Sequence, residues 1–144
     1  MRTELEYRNG TAHGRWRSWY ENGELEREEY WADGKLDGTQ LLYFPDGVKQ
    51  AEVTWVAGLR EGVDKSWNES GQQLYERHWK GGLLSGTETL WHINGEKSSE
   101  TEFQEGKEHG RCVMWYETGQ KRSEGCYEHG EKIGAWVEYY SNGN

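Results

Sequence analysis

Six glutamates, Glu4, Glu28, Glu52, Glu76, Glu100 and Glu124, stand 24 residues apart along the chain. Glutamate is not a preferred strand residue, so its recurrence wants a physical reason. One reason is structural: a carboxylate accepts hydrogen bonds from turn amides, an indole N–H or a basic side chain. The other is functional: a carboxylate stripe can meet a basic ligand. Asp64 and Glu88 add two carboxylates in the middle of the row. Asn68 and His92 stand there where other repeats carry Tyr or Phe. Asp64, Glu76, Glu88, Glu100, Asn68 and His92 are therefore the candidate partner-binding set.

Other chemistries find less support. No EF-hand-like acidic loop is present to hold calcium. His13, His78, His92, His109 and His129 show no zinc-ligand spacing. No Ser-His-Asp, Cys-His or Gly-x-Ser-x-Gly arrangement stands out. Carboxylates are abundant enough that a glycosidase-like pair would be a chance match. The expectation is a non-enzymatic chain with no cofactor and no metal.

The elements that position these residues follow from glycine. Gly10, Gly34, Gly58, Gly82, Gly106 and Gly130 form one series at the same 24-residue spacing. Gly14, Gly38, Gly62, Gly86, Gly110 and Gly134 form a second, and Gly23, Gly47, Gly71, Gly95, Gly119 and Gly143 a third. A fixed period of this size marks a repeat array. Within one period, two short aromatic-rich segments alternate with two turns, which predicts a β-hairpin. The first turn ends in Asn-Gly, Asp-Gly, Ser-Gly or Thr-Gly. A two-residue loop would require Pro45 to donate an N–H that proline lacks. A three-residue loop instead places Pro45 at a type I corner and Gly47 at the left-handed bulge position. This register pairs Tyr20 with Glu24, and Phe44 with Val48. The other two glycines bracket three residues, as in G-KLD-G, and predict a second, wider turn between hairpins. No helix or Walker lysine follows, so a phosphate-cradling role is not expected.

Alternation from that register puts two aromatic series on one face. The first is Trp19, Tyr43, Trp67, Trp91, Trp115 and Tyr139; the second is Tyr7, Trp31, Trp55, Trp79, Phe103 and Tyr127. Equivalent rings two strands apart are roughly 9.6 Å from each other, so a continuous ladder can form the core. The recurring glutamate then opposes the second residue of the first strand. Asp64 would face Glu76, and Glu88 would face Glu100. Like charges directly opposed are destabilising. Either the register shifts there, or the four carboxylates form a functional acidic patch.

Hydrophobic residues make up 33% of the chain and the formal net charge is −9. That balance would lean toward disorder were 20 residues not aromatic and mostly in register. Acidity argues against nucleic acid and anionic lipid, and favours a basic partner. Cys112 and Cys126 occupy different repeat positions and read as free thiols in a reducing compartment. The N-terminal segment has no apolar signal-peptide core, so a cytoplasmic location is expected.

The units G-RWRSWYENG, G-RCVMWYETG and G-AWVEYYSNG resemble MORN-type repeats, most closely the bacterial antitoxin-type variant. The glycine and aromatic positions match in all six units. Lys65-Ser66-Trp67-Asn68 and Leu90-Trp91-His92-Ile93 lack the paired aromatics. The resemblance implies an all-β, open antiparallel meander of six 24-residue hairpin repeats without enzymatic activity. It covers one repeat domain, 1–144, with units near 14–37, 38–61, 62–85, 86–109 and 110–133 and partial units 1–13 and 134–144. It also implies a protein-interaction role, of antitoxin or immunity type, against a basic toxin-like protein. A structural scaffold or membrane-associated module is the alternative. Unpaired edge strands at the two ends predict end-to-end self-association or strand addition.

Overall fold

The fold is that of a computed structural model in which residues 2–4 and 6–141 are described. Gly143 of the third glycine series lies outside the described residues, as do Met1 and Leu5 at the start. In chain order the strands are β1 (Arg2–Glu4), β2 (Tyr7–Arg8), β3 (Thr11–Ala12), β4 (Gly14–Trp19), β5 (Leu25–Ala32), β6 (Lys35–Leu36), β7 (Gly38–Tyr43) and β8 (Lys49–Val56). They continue as β9 (Leu59–Trp67), β10 (Gln73–Lys80), β11 (Leu83–Leu84), β12 (Gly86–Trp91), β13 (Lys97–Gln104), β14 (Lys107–Trp115), β15 (Lys121–Glu128) and β16 (Glu131–Glu138). One open antiparallel sheet runs β1-β4-β5-β7-β8-β9-β10-β12-β13-β14-β15-β16, with β6 and β11 pairing β5 and β10. Strands β2 and β3 pair separately. No helix occurs among the described residues, and the hairpins follow one another in sequence order.

The three-residue hairpin turn is present as expected. Tyr20 N donates to Glu24 O at 2.8 Å, and Phe44 N to Val48 O at 2.8 Å. Gly23 N and Gly47 N return to Tyr20 O and Phe44 O, with both glycines at positive φ. That is a type I turn closed by a left-handed residue.

One residue later the register departs from expectation. Trp19 stands opposite Leu25, but Ser18 stands opposite Arg27, so Glu26 is extra and forms a β-bulge. Gln50, Leu74, Ser98 and Arg122 are bulged in the same way. A one-residue shift moves every following side chain to the other face. The two aromatic series therefore do not share a face. Trp31, Trp55, Trp79, Phe103 and Tyr127 lie on one side, each directly opposite a glycine: Gly14, Gly38, Gly62, Gly86 and Gly110. We call this the Trp31 face. Trp19, Tyr43, Trp67, Trp91 and Trp115 lie on the other, the Trp19 face. Tyr139 joins that side through its hydroxyl, which bonds Glu124. Tyr7 is 67% exposed and pairs only within β2–β3, so it adds nothing to a core.

The second turn is also tighter than the glycine bracket suggested. Ala32 pairs with Lys35, leaving Asp33 and Gly34 as a two-residue loop with φ of 48° and 77°. Positive φ at both positions is a type I′ turn, whose twist matches the flanking strands. The residues between the glycines continue as strand except for breaks at His13, Asp37 and Ser85. Each such turn also bonds its neighbour: Gly34 N to Ala12 O, Gly58 N to Leu36 O, Gly82 N to Arg60 O, Gly106 N to Leu84 O and Gly130 N to Glu108 O.

Burial is concentrated on one side. Among the described residues, Ser18, Glu29, Ala51, Val53, Asp64, Cys112, Val113 and Ser123 are buried, and only Val113 lies on the Trp19 face. These are mostly small residues, covered by the longer aromatic and arginine side chains beside them. The aromatic rings themselves are half-buried. Cys112 and Cys126 are free and occupy opposite faces, which forbids a bond between them.

Gly125, one of two glycines outside the three series, shows how close the packing is. A Cβ there would lie 2.8 Å from Cγ of Trp136. The Trp136 indole is held edge-on to Tyr127, with Lys132 Nζ 4.1 Å from its centre. We expect Gly125→Ala to cost about 1–3 kcal/mol by overpacking, read as a lowered urea midpoint. In a Trp136→Ala background the same substitution should cost almost nothing. An equal cost in both backgrounds would assign the penalty to the backbone.

Candidate binding surfaces

The bulges scatter the predicted acidic patch. Asp64 and Glu88 lie on the Trp31 face, and Glu76 and Glu100 on the Trp19 face. Asp64 stands opposite Arg77, Glu76 opposite Lys65, and Glu100 opposite Thr89. The like-charge confrontation is thus removed by register, the first of the two outcomes the sequence allowed.

Asp64 is fully buried, with Arg60 Nη1 at 3.2 Å from Oδ2. Burial raises its carboxyl above the usual range, against the opposing pull of Arg60 and Arg77. The Arg60 guanidinium lies 4.9 Å from the Trp79 ring centre and 5.6 Å from that of Trp55. Arg77 lies 4.2 Å from the Tyr75 ring centre and bonds Glu88 through Nε. In the preceding repeat Trp55 Nε1 donates to Gln40 Oε1 at 3.2 Å. Trp79 and Asp64 are the equivalent pair, although Trp79 Nε1 and Asp64 Oδ1 miss hydrogen-bond geometry. Asp64 therefore belongs to an arginine–aromatic cluster inside the sheet.

The recurring glutamates are structural. Glu28 pairs with Arg17, Glu52 with Lys49 at 2.8 Å, Glu76 with Lys65 at 3.1 Å, and Glu100 with Lys97. For Glu76, burial alone would raise the carboxyl, but Lys65 and Gln73 lower it overall. Glu124 accepts from Tyr139 Oη at 2.7 Å, and also from Lys121 and Arg111. The Tyr139 hydrogen bond first, then Lys121 and Arg111, hold its carboxyl down to about 2.

Asn68 and His92 sit in hairpin turns. Asn68 Oδ1 accepts from Ser70 N and Gln72 N of its own loop. His92 Nε2 lies 3.0 Å from Trp115 O, 23 residues on. Tyr20 Oη reaches Tyr43 O, and Tyr116 Oη reaches Tyr139 O, in the same way. His92 thus does the work of tyrosine rather than departing from it. Asn22 Nδ2 to Pro45 O and Asn94 Nδ2 to Glu117 O, each 2.7 Å, make a second row of turn-to-turn bonds.

The uncompensated acid is elsewhere. Glu21, Glu24, Asp46, Glu69, Glu96 and Glu117 all lie in hairpin turns along one margin, and all are exposed. No ion pair involves any of them among the described residues. The opposite margin mixes signs, with Asp33, Lys35, Lys80, Glu105, Lys107 and Glu131. In the sequence their signal is an acid beside most hairpin-turn glycines, which keeps to no single repeat position as the glutamate row does. Among the described residues no group of three or more His, Cys, Asp or Glu could hold a metal ion.

Residues 12–33, 36–57 and 108–129 match the model of the MORN repeat variant. Each holds one hairpin: β4–β5, β7–β8 or β14–β15. The unmatched middle carries the hairpins of Asn68 and His92, where the aromatic pattern lapses. No curated protein shows significant overall similarity to the chain. MORN repeats are typically non-catalytic modules.

Two titrations follow. A depressed carboxyl contributes stability above its unfolded value and loses it as pH falls through the folded one. Glu124 should therefore support the fold above pH 4.5 and cease to do so toward about 2. Glu124→Gln should flatten that part of the urea midpoint against pH; an unchanged acid limb would count against it. For Asp64 the sign is opposite, since a raised carboxyl costs stability when ionised and returns it as pH falls. Asp64→Asn should match or exceed the parent at neutral pH. A loss above about 2 kcal/mol would show that Arg60 and Arg77 need the charge.

Proposed function

We propose that this chain is a non-enzymatic, protein-binding repeat scaffold that holds a basic protein partner along its acidic hairpin-turn margin. The observation that carries the reading is the row of six exposed turn carboxylates without ion-pair partners, on a chain of net charge −9. Such a row steers a cationic surface into place and raises association rate more than it adds contact energy. An antitoxin or immunity protein covering the cationic substrate surface of a toxin would use this chemistry. Two free thiols on opposite faces fit a reducing, cytoplasmic setting. A lipid-bound scaffold would want a basic surface, and the margin has the wrong sign for anionic headgroups.

The test is a variant carrying Glu21→Gln, Glu24→Gln, Asp46→Asn, Glu69→Gln, Glu96→Gln and Glu117→Gln. Among the described residues, only Asp46 of these side chains makes a hydrogen bond, accepting from Val48 N at 3.1 Å, and asparagine keeps that acceptor, so thermal unfolding should be unchanged. Capture from the native host at low salt should recover a basic protein with the parent chain. With the variant, association should slow by about tenfold and lose most of its salt dependence. Equal capture by both chains, or binding of the parent to phosphatidylserine vesicles in its place, would overturn the reading.

A further inference from the structure

On the Trp19 face, Trp91 of β12 and Trp115 of β14 stand on either side of β13. Between them is a cavity of about 410 Å³ lined by Trp91, Gly95, Glu96, Lys97, Trp115 and Gly119. Its volume falls within the range of ligand pockets. From this geometry we propose that the slot receives an arginine side chain of the basic protein partner. The inference rests on the reading of the acidic margin given above and adds a specificity site to it.

Three observations converge on that occupant. The first is spacing. Rings two strands apart are separated by about 9.6 Å, so a flat cation stacked about 3.5–4.0 Å from one ring lies about 6 Å from the other, within cation–π reach of both. A guanidinium is flat, cationic and weakly hydrated, so it stacks on rings more favourably than a strongly hydrated ammonium. The second is an internal precedent. Two repeats earlier, between Tyr43 and Trp67, the chain's own Lys49 places Nζ 5.5 Å from the Trp67 ring centre. Lys97 is the residue equivalent to Lys49 and pairs with Glu100 as Lys49 pairs with Glu52, but unlike Lys49 it makes no cation contact with the indole across the slot, Trp115. The indoles of this slot are left for another cation. The third is charge and rigidity at the mouth. Glu96 is exposed and without an ion-pair partner, and its Oε2 would lie 3.4 Å from a Cβ built on Gly119, against the opposite turn. Glu117 adds a second exposed carboxylate there. His92 to Trp115 O and Asn94 to Glu117 O tie the two turns together and fix the width of the slot. His92 and Asn94 are thus positioning residues for it.

The test uses the full chain labelled with ¹⁵N, reading the indole N–H signals by NMR at low salt. The probe is the blocked peptide Lys-Lys-Arg-Lys-Lys, with citrulline in place of Arg as its neutral counterpart. The Arg peptide should shift the Trp91 and Trp115 signals more than those of the other tryptophans. Trp115→Leu should weaken its binding about fivefold, the size of an exposed cation–π contact. The citrulline peptide should bind the parent and Trp115→Leu equally. If Trp115→Leu does not fold, Glu96→Gln serves, and should weaken the Arg peptide more than the citrulline peptide. Salt-dependent binding that leaves Trp91 and Trp115 unshifted would overturn the slot and leave the acidic margin standing. Absence of binding by either peptide would overturn both.

Discussion

The residue inserted after each hairpin turn decides which side of the sheet every later side chain occupies. Glu26, Gln50, Leu74, Ser98 and Arg122 carry no partner across the hairpin. Without that insertion both aromatic series would crowd one face and Asp64 would confront Glu76. With it, each series takes its own face, Asp64 meets Arg77 and Glu76 meets Lys65. A bulge also sharpens the local right-handed twist. The same step repeats five times at equal spacing, so its consequences are regular along the array.

A single sheet has no second layer to bury an aliphatic core. This chain substitutes a centre of small residues under long ones. Ser18, Ala51, Val53, Cys112 and Ser123 lie at the bottom, with aromatic rings and arginines around them. Arginine is well suited to the role because its stem covers apolar surface while its planar head stacks on rings. Arg60 bridges Trp55 and Trp79 while paired to Asp64, so one side chain joins three neighbours. Buried Glu29 shows the same solution in the first repeat, accepting from Arg27, Trp31 and Gln40. Polar groups can serve as a core here because Ser18, Glu29 and Asp64 each find a partner within the sheet.

How far the sequence could be read follows from which features leave a residue signature. The period, the hairpins and the open meander were legible because glycine and aromatic residues recur without slippage. The three-residue turn was legible because Pro45 forbids the alternative. The bulge was not, since Glu, Gln, Leu, Ser and Arg occupy it in turn and a bulged position imposes no composition of its own. The type I′ turns were half visible. Asn9-Gly10 and Asp33-Gly34 carry the usual dipeptide, but Ala57, Glu105 and His129 hold the same left-handed φ without advertising it. The acidic site was misplaced for the same reason: a wrong register moved Asp64 and Glu88 beside the recurring glutamates. The exposed turn acids depended on no register at all, and could have been found by asking which carboxylates lack a cation within their own repeat.

The two margins of the sheet are not equally stitched. Along the type I′ margin every described turn from Gly34 to Gly130 bonds its predecessor. Along the hairpin margin the stitches run from Tyr20 and Asn22, and again from His92, Asn94 and Tyr116. Between them Phe44 has no polar atom to offer, and Asn68 spends its side chain within its own loop. Two successive joints are therefore hinged along one margin and free along the other. Under a lateral load the array resembles a leaf spring with a soft central section, which fans open on the acidic side and stays closed on the other. A partner broader than the resting spacing of the turns could be met by a change of curvature there, while the stapled segment around Trp91 and Trp115 kept its gauge.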